Sequence, residues 1–526
     1  MDIPSQKNIL PMLVILLDGW GLSSTKKGNA TLFASTPTMN KLVKEYPFTT
    51  LKAHGKYAGL PMNPPQVGNS EAGHMNIGAG RIVEQESVRI NRSIKNGTFY
   101  KNAAFTEAIR HQKNNKSDLH IMGIVSSGMS PHSNNEHLYA LLRLARKNNV
   151  KNIYLHLFTD GRDSPKFEGI KVIEKIKGKL RENEKIATVM GRFYAMDRKK
   201  KWDRTKKAYE ALVCGRGNLA KSTQVAISSS YNSGESDEYI KPVIISKEKN
   251  KCQGRIKDND AVIFFNLRSD RARQLAKIFV QDSFKKFNPG APKRKKVLKN
   301  IKFIAMTDFG PDLDSIITAY PGVDIEDTLP MALEGISQIY MAESEKYAHI
   351  TYFFNGGYSQ EVNGEDYYMV DSPNVKSYDQ TPGMKSEHLT KKILNSLNKN
   401  KYDFTFVNFA APDMIGHTGN LKAGIECCEK LDTLVGRLVK EYLDKNGTII
   451  ITADHGNIEQ MINPETGGIE TRHTTNQVPF IVVNKKLKSL KLKKNGKLAD
   501  IAPTIIELLG LKKFKKMTGT SLIKNK

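Results

Sequence analysis

The chain has 526 residues, 39% of them hydrophobic and 8% aromatic, so it can bury sizeable cores, exceeds one typical domain and is not a disordered protein. Its net charge of +27 comes from scattered clusters such as Arg198-Lys199-Lys200-Lys201, residues 293–296 and residues 512–516. These lack interleaved aromatics and predict solvated faces rather than a nucleic-acid groove.

The N-terminal stretch has no basic leader or small-residue cleavage site, and its apolar run MLVILL (12–17) stops at Asp18, far short of the roughly 20 residues of a membrane span. Four cysteines (Cys214, Cys252, Cys427 and Cys428) show no Cys-x-x-Cys spacing, which argues against a zinc ribbon or disulfide framework. A soluble, cytoplasmic protein is expected. Further short apolar runs follow: IMGIV (121–125), IYLHLF (153–158), IATVM (186–190), AVIFF (261–265), FIAM (303–306), FTFVNF (404–409), TIIIT (448–452) and PFIVV (479–483). They have the pattern of buried parallel strands. Helix-period segments at 41–46, 136–148, 167–180 and 426–443 lie between them, which predicts an α/β fold.

Polar groups follow six of these runs: Asp18-Gly19, TDGRD, GRFYAMDR, NLRSDRAR, AAPDMIGH and ADHGN. Ligands of open α/β sheets bind at such carboxyl ends. The metal-ligand types sit at the two ends of the chain: Asp18 and Ser70 early, then Asp413, His417, Asp454, His455 and His473. Asp413 and His417 are spaced to share one face of a helix. Asp and His suit manganese, zinc or magnesium, and a metal pair would clamp a phosphoryl group. The bland alternative is that each Asp caps a turn and each His is a satisfied polar residue. Arginines fill the middle: Arg162, Arg192, Arg198, Arg268 and Arg271, with His132 and Asp163. Their planar forks match carboxylate and phosphate; surface ion pairing is the alternative. If the end groups meet, residues 1–85 and 318–526 form one discontinuous domain and residues 86–317 an inserted one. Ser70 lies in VGNSEAGHMNIGAGR, a glycine-rich loop without a Gly-x-Ser-x-Gly elbow. A phosphate fits where such a loop leads into a helix, and a metal would acidify the hydroxyl.

LLDGWG, GNSEAGHMNIGAGR, TDGRDSP, GRFYAMDR, FFNLRSDRARQL, SEKYAHITYFFNGG, NFAAPDMIGHTG, ADHGN and RHTTNQVPF together resemble the cofactor-independent (2,3-bisphosphoglycerate-independent) phosphoglycerate mutases of the alkaline-phosphatase superfamily, nearly end to end. The resemblance implies a metal-binding phosphatase-like α/β domain with an inserted α/β transferase domain, two divalent ions (manganese, or magnesium, cobalt or zinc) and no 2,3-bisphosphoglycerate. It implies Ser70 as the phosphorylated nucleophile, Asp18, Ser70, Asp454 and His455 around one ion, and Asp413, His417 and His473 around the other. His132, Arg162, Asp163, Arg192, Arg198, Arg268, Arg271 and Lys346 match the substrate-binding set, with Asp163 the general acid/base and Lys346 also catalytic. The substrates implied are 3-phosphoglycerate and 2-phosphoglycerate, bound between the domains by a monomer with hinges near 84–88 and 316–322. No nucleic-acid or membrane partner is expected.

Three departures from the family pattern stand out. SSGMSPHSNNEH is longer than usual around His132, Ala411 stands where Asn is common, and Arg472 precedes His473 where a small residue is frequent. A phosphopentomutase or simple phosphatase would share the metal ligands but not GRFYAMDR or NLRSDR. A nucleic-acid-binding protein would explain the charge but not the metal-ligand set.

Overall fold

All nine apolar runs form strands. A computed structural model describes residues 9–62, 65–128, 130–247, 253–310, 312–313, 315–322 and 324–524; Cys252 lies outside them. In chain order the strands are β1 Met12–Leu17, β2 Phe48–Lys52, β3 Leu119–Val125, β4 Ile153–Thr159, β5 Glu184–Gly191, β6 Asn218–Ala220, β7 Val243–Ile245 and β8 Ala261–Phe264. There follow β9 Lys302–Thr307, β10 Ile317–Tyr320, β11 Gln338–Glu343, β12 Asp366–Val370, β13 Phe404–Phe409, β14 Thr448–Thr452, β15 Val478–Val483 and β16 Gly496–Lys497.

The chain divides into two compact units, Met1–Gln85 with Val323–Lys526, and Glu86–Gly322. The second boundary follows Gly322 rather than residue 317, because Ile317–Tyr320 pairs with β9 and so belongs to the middle unit.

The first unit holds one sheet in the order β12-β11-β13-β1-β14-β15-β2-β16. Strands β11, β13, β1 and β14 are parallel neighbours. Every residue of β1 is buried because β13 and β14 flank it and helices cover the sheet, so MLVILL needs no polar alternation. Against the parallel expectation, β15 runs antiparallel to both β14 and β2. The apolar run is the same in either sense, since burial on both faces sets composition and the connection sets direction.

The second unit holds the sheet β10-β9-β8-β3-β4-β5-β7-β6. Strands β10, β9, β8, β3, β4 and β5 are parallel, and β7 reverses against β5. Each unit is therefore an α/β body whose central parallel strands end side by side. Among the described residues no helix is long and apolar enough to cross a membrane.

The helix Ser70–Ala79 opens at Asn69, whose side chain accepts from the Ala72 N–H at 2.9 Å. Its far end packs on the turn His349–Phe353 so closely that a Cβ on Gly78 would stand 2.0 Å from the Phe354 carbonyl oxygen. Gly78→Ala should therefore lose stability by about 1–3 kcal/mol from overpacking, despite the roughly 1 kcal/mol helix preference of alanine. Chemical denaturation measures this; an unchanged or raised stability would contradict the close approach.

Candidate active site

Four neighbouring strands of the first unit deliver one charged side chain each. From β11, β13, β1 and β14 come Lys346, Asp413, Asp18 and Asp454 in spatial order. Asp18 directly follows β1, where Gly19 takes φ +73°; a Cβ there would stand 2.8 Å from Asp413 Cα, so only glycine lets these two strand ends approach. Ser70 is the first residue of its helix and faces the same point.

Lys346 Nζ, 4% exposed as a residue, donates to Asp18 Oδ1 at 2.7 Å, Ser70 Oγ at 2.7 Å and Asp413 Oδ2 at 2.6 Å. Ser70 Oγ also lies 3.2 Å from Asp18 Oδ1 and 3.0 Å from His455 Nε2. Asn408 Nδ2 donates to Asp18 Oδ2 at 2.7 Å, and Asn457 Nδ2 to Asp413 Oδ1 at 2.8 Å. His74, one helical turn after Ser70, packs its Nδ1 2.8 Å from the Ser70 carbonyl and 3.2 Å from Asp454 Oδ2.

Electrostatics follow from burial. Asp18 is pushed up to about 6 by burial and by Asp454 beside it. Burial alone would raise Asp413 and Asp454 as well, but Lys346 holds the first down and His455 the second. Burial opposes the charge on Lys346, yet Asp18 and Asp413 raise its pKa and keep it an ammonium. Burial lowers His455 to about 3, so its imidazole is neutral.

This donor set fits divalent metal. Asp18, Asp454 and His455 present ligand atoms within 4.8 Å of one another, and so do Asp413, His455 and His473. Asp454 Oδ2 is buried without a hydrogen-bond partner. His417 Nδ1 contacts the Thr471 carbonyl at 2.7 Å and His473 Nδ1 the Gly68 carbonyl at 2.8 Å. With Nδ1 as donor, each neutral ring turns Nε2 as an acceptor toward Asp413, and although burial opposes it, Asp413 raises the His417 pKa. The two Nε2 atoms stand 3.1 Å apart, and 3.4 and 3.2 Å from Asp413 Oδ1. Acceptors facing a carboxylate require a cation or a proton among them. A third cluster, Asp118, His120 and Asp260, lies at the opposite ends of β3 and β8. There His120 Nε2 meets Asp260 Oδ2 at 3.0 Å, His120 Nδ1 meets His156 Nε2 at 3.0 Å, and His156 Nδ1 meets Thr188 Oγ1 at 2.9 Å. Every ring nitrogen is satisfied, so that cluster is a cross-strand hydrogen-bond network.

In the second unit the neighbouring strands β8, β3, β4 and β5 deliver Arg268 and Arg271, His132, Arg162 and Asp163, and Arg192 and Arg198. Arg192 is buried and donates from Nη1 to Asp160 Oδ1 at 2.6 Å and Asp163 Oδ2 at 2.5 Å. Its Nε has no hydrogen-bond partner. Asp163 Oδ2 also lies 3.7 Å from His132 Nε2 and accepts from Ser130 Oγ at 3.4 Å. Arg198 pairs with Asp270 at 2.8 Å, and Arg268 Nε lies 3.7 Å from the same carboxylate. Burial, then Arg192, Arg268, Arg271 and Arg198, lower His132 to about 2. Burial and the neighbouring Arg192, Arg198 and Arg162 lower Arg271. Such crowding of cations is suited to an anion.

The sequence-predicted residues thus fall into two constellations, with Lys346 in the metal-ligand one rather than among the arginines. Sequence reasoning missed Asp160, Asp270, His74, Asn408 and Asn457, although all five stand inside motifs it had singled out. The signal was a second polar residue at a strand end or one helical turn from Ser70.

Residues 10–513 match the model of the metalloenzyme superfamily. The chain is 46% identical over 518 residues to the 2,3-bisphosphoglycerate-independent phosphoglycerate mutase of Clostridium kluyveri, covering 98% of this chain and 99% of the relative. It is 45% identical over 519 residues to 2,3-bisphosphoglycerate-independent phosphoglycerate mutase 1 of Methanosarcina barkeri, covering 98% of each. Among solved structures, Leishmania mexicana phosphoglycerate mutase at low cobalt concentration matches with a TM-score of 0.78 and 28% identity, covering 100% of this chain and 99% of that one. With a superfamily match and relatives of this similarity along nearly the whole length, the chain belongs to the 2,3-bisphosphoglycerate-independent phosphoglycerate mutases.

Proposed function

We propose that the chain interconverts 3-phosphoglycerate and 2-phosphoglycerate through a phosphoserine at Ser70, as a monomeric cytoplasmic enzyme that needs no 2,3-bisphosphoglycerate. The observation that carries this reading is the Ser70 hydroxyl, held within 3.2 Å of Lys346, His455 and Asp18 where buried carboxylates converge. Asp18, Ser70, Asp454 and His455 would hold one divalent ion and Asp413, His417 and His473 the other; oxygen and imidazole donors suit manganese. When bound, the ions supply the charge that acidifies a hydroxyl and neutralises a phosphoryl group.

The chain's own groups do the rest. Lys346 donates to Ser70 Oγ and stabilises negative charge developing on it. Ser70 Oγ, having lost its proton to solvent when the ions bind, forms the new bond to phosphorus as an oxyanion while the bond to one glycerate oxygen breaks, and leaves as the same oxyanion in the return step. Asp163 supplies the proton that this leaving oxygen takes. The other glycerate hydroxyl returns a proton to Asp163 and accepts the phosphoryl group from Ser70. In this reading Arg162, Arg192, Arg198, Arg268 and Arg271 hold the substrate's carboxylate and phosphate while neutral His132 offers a hydrogen bond. Water must be kept out while phosphoserine exists, or the enzyme would release phosphate.

Ser70→Ala should lower manganese-dependent conversion of 3-phosphoglycerate, assayed without 2,3-bisphosphoglycerate, by at least about a thousandfold. Retention of most of the activity, or a wild type that only released inorganic phosphate, would contradict the proposal.

A pH dependence also follows. In the metal-free protein Asp18 titrates near 6, above its ordinary 3.8, so below that pH an ion must displace a proton. His455 stays neutral down to about 3 and adds no competition. Affinity for the first manganese ion should be nearly flat above about pH 6 and fall about tenfold per unit below it. Calorimetric titration measures this, and a pH-independent affinity would rule it out.

A further inference from the structure

Arg472 adds a cation directly before His473, and its guanidinium is tied to the carboxylate of Glu470. Residues 461–473 fold back on themselves: Ile462 pairs with Ile469, Gly467 N donates to the Asn463 carbonyl at 2.9 Å, and Glu470 N to the Met461 carbonyl at 3.0 Å. At the end of this hairpin Glu470, 7% exposed, gathers five donors. Its Oε1 accepts from Thr471 N at 3.2 Å, Arg472 N at 3.2 Å and Arg472 Nε at 2.8 Å. Its Oε2 accepts from Arg472 Nη2 at 2.7 Å and Asn463 Nδ2 at 3.2 Å. The Arg472 side chain is otherwise 62% exposed.

The consequence lies in one peptide plane. The Arg472 N–H and the Thr471 C=O belong to the same rigid unit. Tying that N–H to Glu470 aims the Thr471 carbonyl at His417 Nδ1, 2.7 Å away. That contact sets the tautomer and turns Nε2 toward Asp413 and His473. His417 needs such a hold, because its side chain is 42% exposed and packing alone does not fix it.

We propose that Glu470 is a positioning residue for His417 and that Arg472 is its counter-ion, together presetting the ion position formed by Asp413, His417 and His473. The proposal rests on the reading of those three residues as divalent-ion ligands. It also gives a role to Arg472, which stands where a small residue is frequent in the family pattern.

The test is cobalt(II) titration of the full chain, followed by calorimetry and visible absorption, for wild type, Glu470→Ala and Arg472→Ala. Wild type should take up two ions. Glu470→Ala should bind one of them about 10–100-fold more weakly, with a changed absorption band. The affinity for the other ion should stay as in wild type, while the denaturation midpoint falls modestly because Glu470 leaves its donors unpaired. Arg472→Ala should fall between the two, since Glu470 keeps its backbone donors. Two ions bound by Glu470→Ala with wild-type affinities and spectrum would overturn the positioning role alone. Equal loss at both positions would overturn it in favour of a purely structural role. Uptake of a single ion by wild type would remove the divalent-ion reading and the proposal with it.

Discussion

Buried negative charge is the constraint on which the first unit depends. Adjacent strands β13, β1 and β14 bring Asp413, Asp18 and Asp454 to one point, each almost fully buried. Two like charges about 4 Å apart cost on the order of 4 kcal/mol at an effective dielectric of 20. One internal ammonium, Lys346, reaches two of the three carboxylates directly. Its single charge does not balance three, and the deficit appears in Asp18, which is left with a raised pKa, and in Asp454 Oδ2, which has no hydrogen-bond partner. Affinity for divalent cations follows from that deficit, and so does the setting of Ser70, whose hydroxyl shares the Lys346 ammonium with Asp18 and Asp413.

The second unit has the opposite imbalance. Arg192 is paired with Asp160 and Asp163 and Arg198 with Asp270, yet burial and the accumulated guanidinium charge still depress Arg271 and keep His132 neutral. One unit is therefore short of cations and the other short of anions. Divalent ions would offset the first imbalance, and an anionic group such as a phosphate or carboxylate the second. A family member acting on phosphoglycerate has a physical reason to carry each constellation at the ends of parallel strands, where the backbone fixes side-chain origins within one strand spacing.

Much of this was legible in the sequence, and the failures have physical causes. Runs such as MLVILL and TIIIT announced themselves because strands covered on both faces need no polar residue. QIYMAE and DYYMV went unrecognised: polar residues bound the first, and the second is a partly exposed edge strand. The direction of β15 was invisible, since its composition reports burial and not polarity of the chain. Asp18, Asp413 and Asp454 could be picked out as polar groups at the ends of apolar runs. Lys346 could not; it follows an unrecognised strand and was reached only through family resemblance. The partner of Arg472 is likewise invisible in the sequence. The charge can be read from the sequence, but only the side-chain contacts show that Glu470 pairs with it.

The most direct test of Ser70 as phosphoryl carrier is acid quenching of the manganese-loaded protein during turnover of phosphorus-labelled 3-phosphoglycerate, followed by peptide mapping. Label on the peptide containing Ser70, appearing no later than 2-phosphoglycerate, is the predicted result. Full turnover with no labelled peptide, or with the label on another residue, would contradict it.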